Sequence, residues 1–381
     1  MIFGGDTMSK IIPQRRQRKS RQSFRAGFTL AELLVGSTVM LVAILAALSL
    51  YTRSNKVAVD QNMYAELQHD VRSGMFIITR DLRMAGVGLP FEFRAYYFEG
   101  TDNETQGSEV VQPDRLVLMG NLENPLNLPI SSYSGSSINL AVDDYSFEQY
   151  PYPDEFYDDK ICLVLPNPAS TCRAGEFRQI THVTHSTGGG NEKLNFSPGP
   201  APGINPPGGL SDTCPQSSDF EGGLVTFIDV KDIWLDLTGN YPGLTAGQRG
   251  YIGNGQGNIL YLTYNGDHMP MAQNVENLQF EYNGDLNQDG RLDGFLPWND
   301  TWMLDEVSRI QQIRILILGR TPRPFVSLSG SGPANLNNYQ RPMLSNDVVA
   351  ATQPDRRKRF LLESSSNVRN LTLNLYNSGT R

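Results

Sequence analysis

The chain has 381 residues and a formal net charge of −8, enough length for one large domain or two small ones. The acidic balance argues against simple electrostatic binding of nucleic acid, which needs basic surfaces to displace counter-ions. The cations are unevenly placed. Residues 1–27 hold Lys10, Arg15, Arg16, Arg18, Lys19, Arg21 and Arg25 against Asp6 alone, so the remainder is near −14.

The first predicted element follows this basic leader. From Phe28 to Tyr51 the chain is apolar, with Leu33, Leu34, Val35, Val39, Met40, Leu41, Val42, Ile44, Leu45, Leu48 and Leu50. A bilayer core takes about 20 such residues as a helix, so 28–51 is long enough to span. The Lys/Arg excess keeps the leader cytoplasmic, which places everything after Tyr51 beyond the inner membrane. Gly27 precedes the apolar run, whereas an ordinary signal peptide is cut after its apolar region. A cut at Gly27 leaves the run in the mature protein. Glu32 is the only formally charged residue between Arg25 and Arg53. A charge at the bilayer centre costs about 2.5–3.5 kcal/mol even on lenient scales and is functional by default. It can neutralise the ammonium that cleavage creates on Phe28. The bland alternative is a signal anchor with a stray Glu.

Helical periodicity continues past the apolar run. Tyr64, Leu67, Val71, Met75, Ile78 and Leu82 draw one stripe, with Asp60, Glu66, Asp70, Arg72, Arg80, Asp81 and Arg83 mostly off it. Gly86, Gly88 and Pro90 then stop the helix. Residues 28–86 are thus expected to form one long helix, and 87–381 an exported β-rich domain.

Strand-like runs bounded by Gly, Asn, Asp and Pro follow at 115–119, 138–142, 161–165, 179–184, 193–196, 224–230, 259–264, 278–282 and 313–318. Residues 186–190 read as a hairpin loop. Residues 197–209 read as an exposed insertion, since their many prolines cannot join a sheet ladder. The expected class is α+β: a long N-terminal helix, transmembrane in its first half, packed on an antiparallel sheet with large loop insertions. Three cysteines allow one disulfide and leave one thiol over. Cys162 and Cys172 enclose a short loop and are the favoured pair. Cys214 stays open as the alternative partner, because connectivity does not follow from sequence.

The sharpest candidate for chemistry is the run from Asp285 to Asp293. Asp285, Asn287, Asp289 and Asp293, with Gly290 at the sixth position, match the start of an EF-hand-type calcium loop. The carbonyl of Arg291 would be a further ligand. Leu296 stands where a bidentate Glu belongs, and Asp300, Asp305 or Glu306 could supply the missing carboxylate. The alternative is an acidic turn without metal. Nothing else has catalytic spacing: His69, His182, His185 and His268 are scattered, and no GxSxG, Walker A or GxGxxG element is present. Aromatic residues between 145 and 157 offer an adhesive patch or a loop packed on the sheet. No enzymatic activity is expected.

Gly27-Phe28-Thr29-Leu30-Ala31-Glu32 resembles the class III signal of type IV pilins. The resemblance implies a prepilin peptidase that cuts between Gly27 and Phe28 and methylates the new amine. It also implies that Glu32 docks each subunit against the N-terminus of its neighbour. Residues 275–282, running into 285–290, resemble a block of PilW-like minor pilins. The segment 313–321, the run Arg356-Arg357-Lys358-Arg359-Phe360, Val368-Arg369-Asn370 and residues 81–86 are similar to further parts of that family. The implied function is that of a minor pilin that primes filament assembly near the tip. The implied partners are other minor pilins, the major pilin and the inner-membrane assembly platform. The implied location is the inner membrane, with the C-terminal domain periplasmic, and then the filament at the cell surface. A J-like type II secretion pseudopilin shares the signal and is the nearest rival. A membrane-anchored, calcium-dependent adhesin is the rival of another class.

Overall fold

A computed structural model describes residues 28–89, 98–101, 113–122, 127–134, 136–141, 160–172, 175–184, 192–196, 205, 214, 216–237, 258–264, 267–324, 342, 344 and 357–368. Gly27, the leader, the 186–190 loop, the 145–157 aromatics, His185, Arg356, Arg369 and Asn370 lie outside them, as does most of the 197–209 insertion. The chain divides into two compact units, 1–57 and 58–381.

Helix α1, Leu30–Met84, runs unbroken through both. In the first unit its side chains are exposed apart from a half-buried Val57, and the helix is long and apolar enough to cross a membrane. In the second unit Leu67, Val71, Gly74, Met75, Ile78 and Leu82 form a buried face. Their spacing of three and four residues is the helical repeat that keeps one side of a helix against a core. Gly86 and Gly88 close the helix at φ of 77°, a conformation that side chains with a Cβ resist.

Among the described residues every strand pair of the second unit is antiparallel. Its larger sheet has 11 strands: β1 Phe98–Thr101, β2 Arg115–Gly120, β3 Asn127–Ser134, β4 Ser137–Leu140, β5 Ile161–Leu165, β6 Glu176–Gln179, β7 His182–Thr184, β8 Lys193–Asn195, β9 Leu224–Asp236, β10 Ile259–Tyr264 and β11 Asp267–Gln273. The 13-residue β9 organises it. The first half of β9 pairs with β3 and β5, and its second half with β2 and β10. The smaller sheet is ordered β13 (Leu296–Pro297), β12 (Val275–Gly284), β14 (Ile310–Arg320), β15 (Arg359–Asn367). A short helix α2, Leu304–Val307, precedes β14. Asp114 ties the sheets together: its N–H donates to the Leu278 carbonyl at 2.8 Å, and its Oδ2 accepts from Phe280 N–H at 2.8 Å.

Among the described residues two large apolar cores result, beside two clusters of three residues each. One joins the buried face of α1 to Leu116, Leu118, Ile233, Leu260, Leu278, Phe280, Ile315 and Ile317. Gly319 on β14 lets the helix approach, since a Cβ there would lie 2.7 Å from both Leu67 Cδ1 and Val71 Cγ2. The second core gathers Leu128, Ile138, Cys162, Val164, Leu194, Val225 and Phe227. Strand β5 serves both, because alternate residues face opposite ways: Leu163 enters the first core, Cys162 and Val164 the second.

The structure corrects the expected Cys162–Cys172 disulfide. The bridge is Cys172–Cys214, with Cα atoms 5.7 Å apart, and Cys162 is a buried free thiol. The strand holds Cys162 in the sheet, opposite Phe227 and Arg178. The loop after β5 is tied elsewhere: Asn167 N–H donates to the Asp219 carbonyl at 2.8 Å, Ser170 Oγ to Asp219 Oδ1 at 2.6 Å, and Asn167 Nδ2 to the Glu221 carbonyl at 2.7 Å. These bonds carry Cys172 to the segment just after Cys214. The expected strand 179–184 is also divided. Ile180 N–H still donates to Lys160, but Thr181 N–H donates to Asn195, so the chain changes partners there.

Candidate functional site

The helix N-terminus is the first candidate. Phe28 is 86% exposed and α1 begins two residues later. Glu32 N–H donates to Thr29 Oγ1 at 3.2 Å, while Glu32 Oε2 accepts from Thr29 N–H and Thr29 Oγ1, each at 3.0 Å. This is a capping box: Thr29 and Glu32 satisfy donors that the first helical turn leaves open. Threonine followed three residues later by glutamate, ahead of an apolar run, is a sequence signature of such a start. Glu32 therefore has a local role beside the docking role expected of it.

The acidic loop is the second. It leaves β12 at Gly284 and its carboxylates turn onto its own amides. Asp285 accepts from Asp289 N–H at 2.9 Å and Gly290 N–H at 3.0 Å. Asn287 Oδ1 accepts from Asp289 N–H at 2.9 Å, and Asp289 Oδ1 from Arg291 N–H at 2.8 Å. Asp293 accepts from Leu286 N–H at 2.8 Å and Asn287 Nδ2 at 2.7 Å. Gln288, Gly290 and Gly294 adopt φ of 63°, 81° and 93°, which coils the loop tightly. The loop already holds a fixed cation: Arg309 Nη1 donates to the Leu286 carbonyl at 2.9 Å, and its guanidinium faces the Gln288 amide oxygen once that amide is turned toward it. Among the described residues no three His, Cys, Asp or Glu side chains are placed to hold a metal ion. Asp293 Oδ2 accepts from both Leu286 N–H and Asn287 N–H, while the Asp285 and Asp289 oxygens keep lone pairs whose donor chemistry suits a hard cation, with the Arg309 charge opposing it.

Three rings that sequence reasoning did not connect also come together. Tyr282, Trp298 and Trp302 meet edge to face, with centroids 5.2, 6.1 and 5.4 Å apart. A buried ionic network was equally hidden. Asp81, read as lying off the apolar helix stripe, is buried and accepts from Lys231 Nζ at 3.3 Å and Arg80 Nε at 2.9 Å. Nearby Lys160 Nζ donates to Asp229 Oδ1 at 3.0 Å, which also accepts from Tyr264 Oη at 2.7 Å. Removing one partner of such a pair costs about 3–5 kcal/mol, so these groups fix the helix end on the sheet. Among the described residues the histidines do not assemble a site. His69 and His182 are exposed, and His268 Nδ1 lies 2.7 Å from Thr263 Oγ1.

These features define the class: an α+β protein with one membrane-length N-terminal helix and an antiparallel sheet domain. Residues 251–370, the stretch that contains β10 to β15 and the acidic loop, match the family model PilW, type IV pilus-assembly protein W. This match, over about a third of the chain, supports a PilW-like type IV pilus protein. Neither a curated protein nor a solved structure matches it.

Proposed function

We propose that the chain is a minor type IV pilin that primes filament assembly near the tip and acts by assembly, not catalysis. The observation that carries this reading is the PilW match over residues 251–370, on a chain whose helix opens with Phe28-Thr29-Leu30-Ala31-Glu32. In this reading a prepilin peptidase cuts after Gly27, and the Phe28 amine is methylated. The apolar half of α1 then leaves the bilayer for the filament, and Glu32 neutralises the Phe28 ammonium of its own or a neighbouring chain. The neighbours are other minor pilins and the major pilin, delivered by the inner-membrane platform. A domain of this bulk suits one terminal place better than tight repetition along a shaft.

Deleting the protein tests the reading. Surface filaments counted by electron microscopy should fall sharply and return with the full-length chain. Unchanged filaments with a loss of protein secretion would instead assign it to the J-like pseudopilins.

The same reading gives the acidic loop a calcium ion. Asp285, Asn287, Asp289, Asp293 and the Arg291 carbonyl would hold it, and the metal would stiffen the loop. With no bidentate Glu and with Arg309 alongside, the affinity belongs to weak extracellular modules, at about 10⁻⁴–10⁻³ M.

A further inference from the structure

Helix α1 turns a cationic stripe outward in its second unit. Arg72, Phe76, Arg80 and Arg83 follow at spacings of four, four and three, which puts them on one face, and all four are exposed. Phe76 is 69% exposed. The Arg72 guanidinium lies over the Phe360 ring at 5.7 Å, and Arg80 Nε donates to Asp81 Oδ1 at 2.9 Å. Both cations are therefore held in position while their surfaces meet solvent. An exposed phenylalanine among three arginines, on a chain of net charge −8, serves no internal packing.

The complementary chemistry lies on the same chain. Residues 285–306 carry Asp285, Asp289, Asp293, Asp300 and Glu306 against Arg291, with Arg309 held on the Leu286 carbonyl and Arg314 over the Phe295 ring. Among them Leu292, Leu296 and Met303 are 47%, 39% and 73% exposed. One surface is basic around an apolar ring; the other is acidic around apolar side chains.

We propose that the Arg72–Phe76–Arg80–Arg83 stripe of one copy docks on the 285–306 surface of a second copy. Phe76 is the desolvated anchor, and the arginines meet carboxylates at its rim, the arrangement that concentrates binding energy at the centre of an interface. The contact joins two different surfaces, so each copy keeps one stripe and one loop free. Such a head-to-tail contact does not close as a two-fold dimer, and a different subunit must end it where the chain holds a single terminal place. Calcium in the loop would weaken it by cancelling the charge the stripe reads. The inference concerns exposed surfaces and does not rest on the pilus reading, so either can fail alone.

The test uses the full-length chain in lipid vesicles with Phe76→p-benzoylphenylalanine, mixing isotope-labelled and unlabelled copies. Illumination should join residue 76 to a peptide within 285–306, with mixed labels that mark two copies. Arg72→Glu with Arg83→Glu, or Asp289→Lys with Asp300→Lys on the acceptor, should lower the yield about tenfold or more, since facing like charges cost several kcal/mol. The Glu-bearing stripe mixed with the Lys-bearing acceptor should restore it. Should a charge variant fail to fold, the mixed-label product of the unreversed stripe still decides. Linkage within one copy, to lipid or to another segment, no linkage, or a yield indifferent to charge reversal would each overturn the proposal.

Discussion

Glu32 shows how one side chain can serve two purposes. Its carboxylate completes the helix cap with Thr29, and the proposed docking needs its charge. Glutamine also completes a capping box but carries no charge, so the two roles separate. Glu32→Gln should keep insertion and cleavage yet enter filaments as poorly as Glu32→Ala. Normal incorporation of the glutamine variant, scored by immunoblot of sheared filaments, would reduce Glu32 to a cap. The cysteines give a second residue-scale test. Burial pushes the Cys162 thiol far above its ordinary range, against the pull of Arg178. Native protein should therefore resist alkylation until it is unfolded, and unreduced peptide maps should show Cys172 joined to Cys214. Because the bridge spans 42 residues, Cys214→Ser should cost about 4 kcal/mol in a chain-entropy account. An unchanged melting temperature would mean that the bridge restrains nothing that unfolds.

At the scale of elements, the seating of α1 on β14 depends on Gly319. Gly319→Val should push Leu67 and Val71 off the strand and destabilise the second unit by about 1–3 kcal/mol, as overpacking does. Urea unfolding of the full-length chain in detergent measures this, and unaltered stability would show that the helix is seated elsewhere. The acidic loop makes a weaker demand. At about tenfold excess over its dissociation constant, calcium should add about 1.4 kcal/mol. Full-length protein should thus melt higher in millimolar calcium than in chelator, and Asp285→Ala should abolish the difference. Equal melting in both would leave the loop an acidic turn held by its own amides and Arg309.

These elements also show what the chain made legible. Strand β12 could be read because Leu278, Phe280 and Tyr282 alternate, and α1 because its apolar stripe never breaks register. Strand β3 was passed over because Pro129 and its serines look like a loop, and β15 because Glu363 and three serines give it little apolar signal. Strand β11 contains Pro270, which edge positions tolerate. The capping box was written in Thr29 and Glu32. The Cys172–Cys214 bridge and the Asp81–Lys231 pair were not, because both depend on contacts between residues far apart in the chain.

For the whole molecule, the central claim is that an exported sheet domain, carried on a membrane-length helix, is built into a type IV pilus. The PilW match supports involvement in pilus assembly, and the opening of the helix says how the subunit would enter the filament. The most direct measurement is mass spectrometry of sheared, washed filaments. The account predicts an N-terminal peptide that begins at Phe28 with a methylated amine. Absence of the protein from the filaments, or a chain there that begins at Met1, at Met8 or beyond Tyr51, would contradict it.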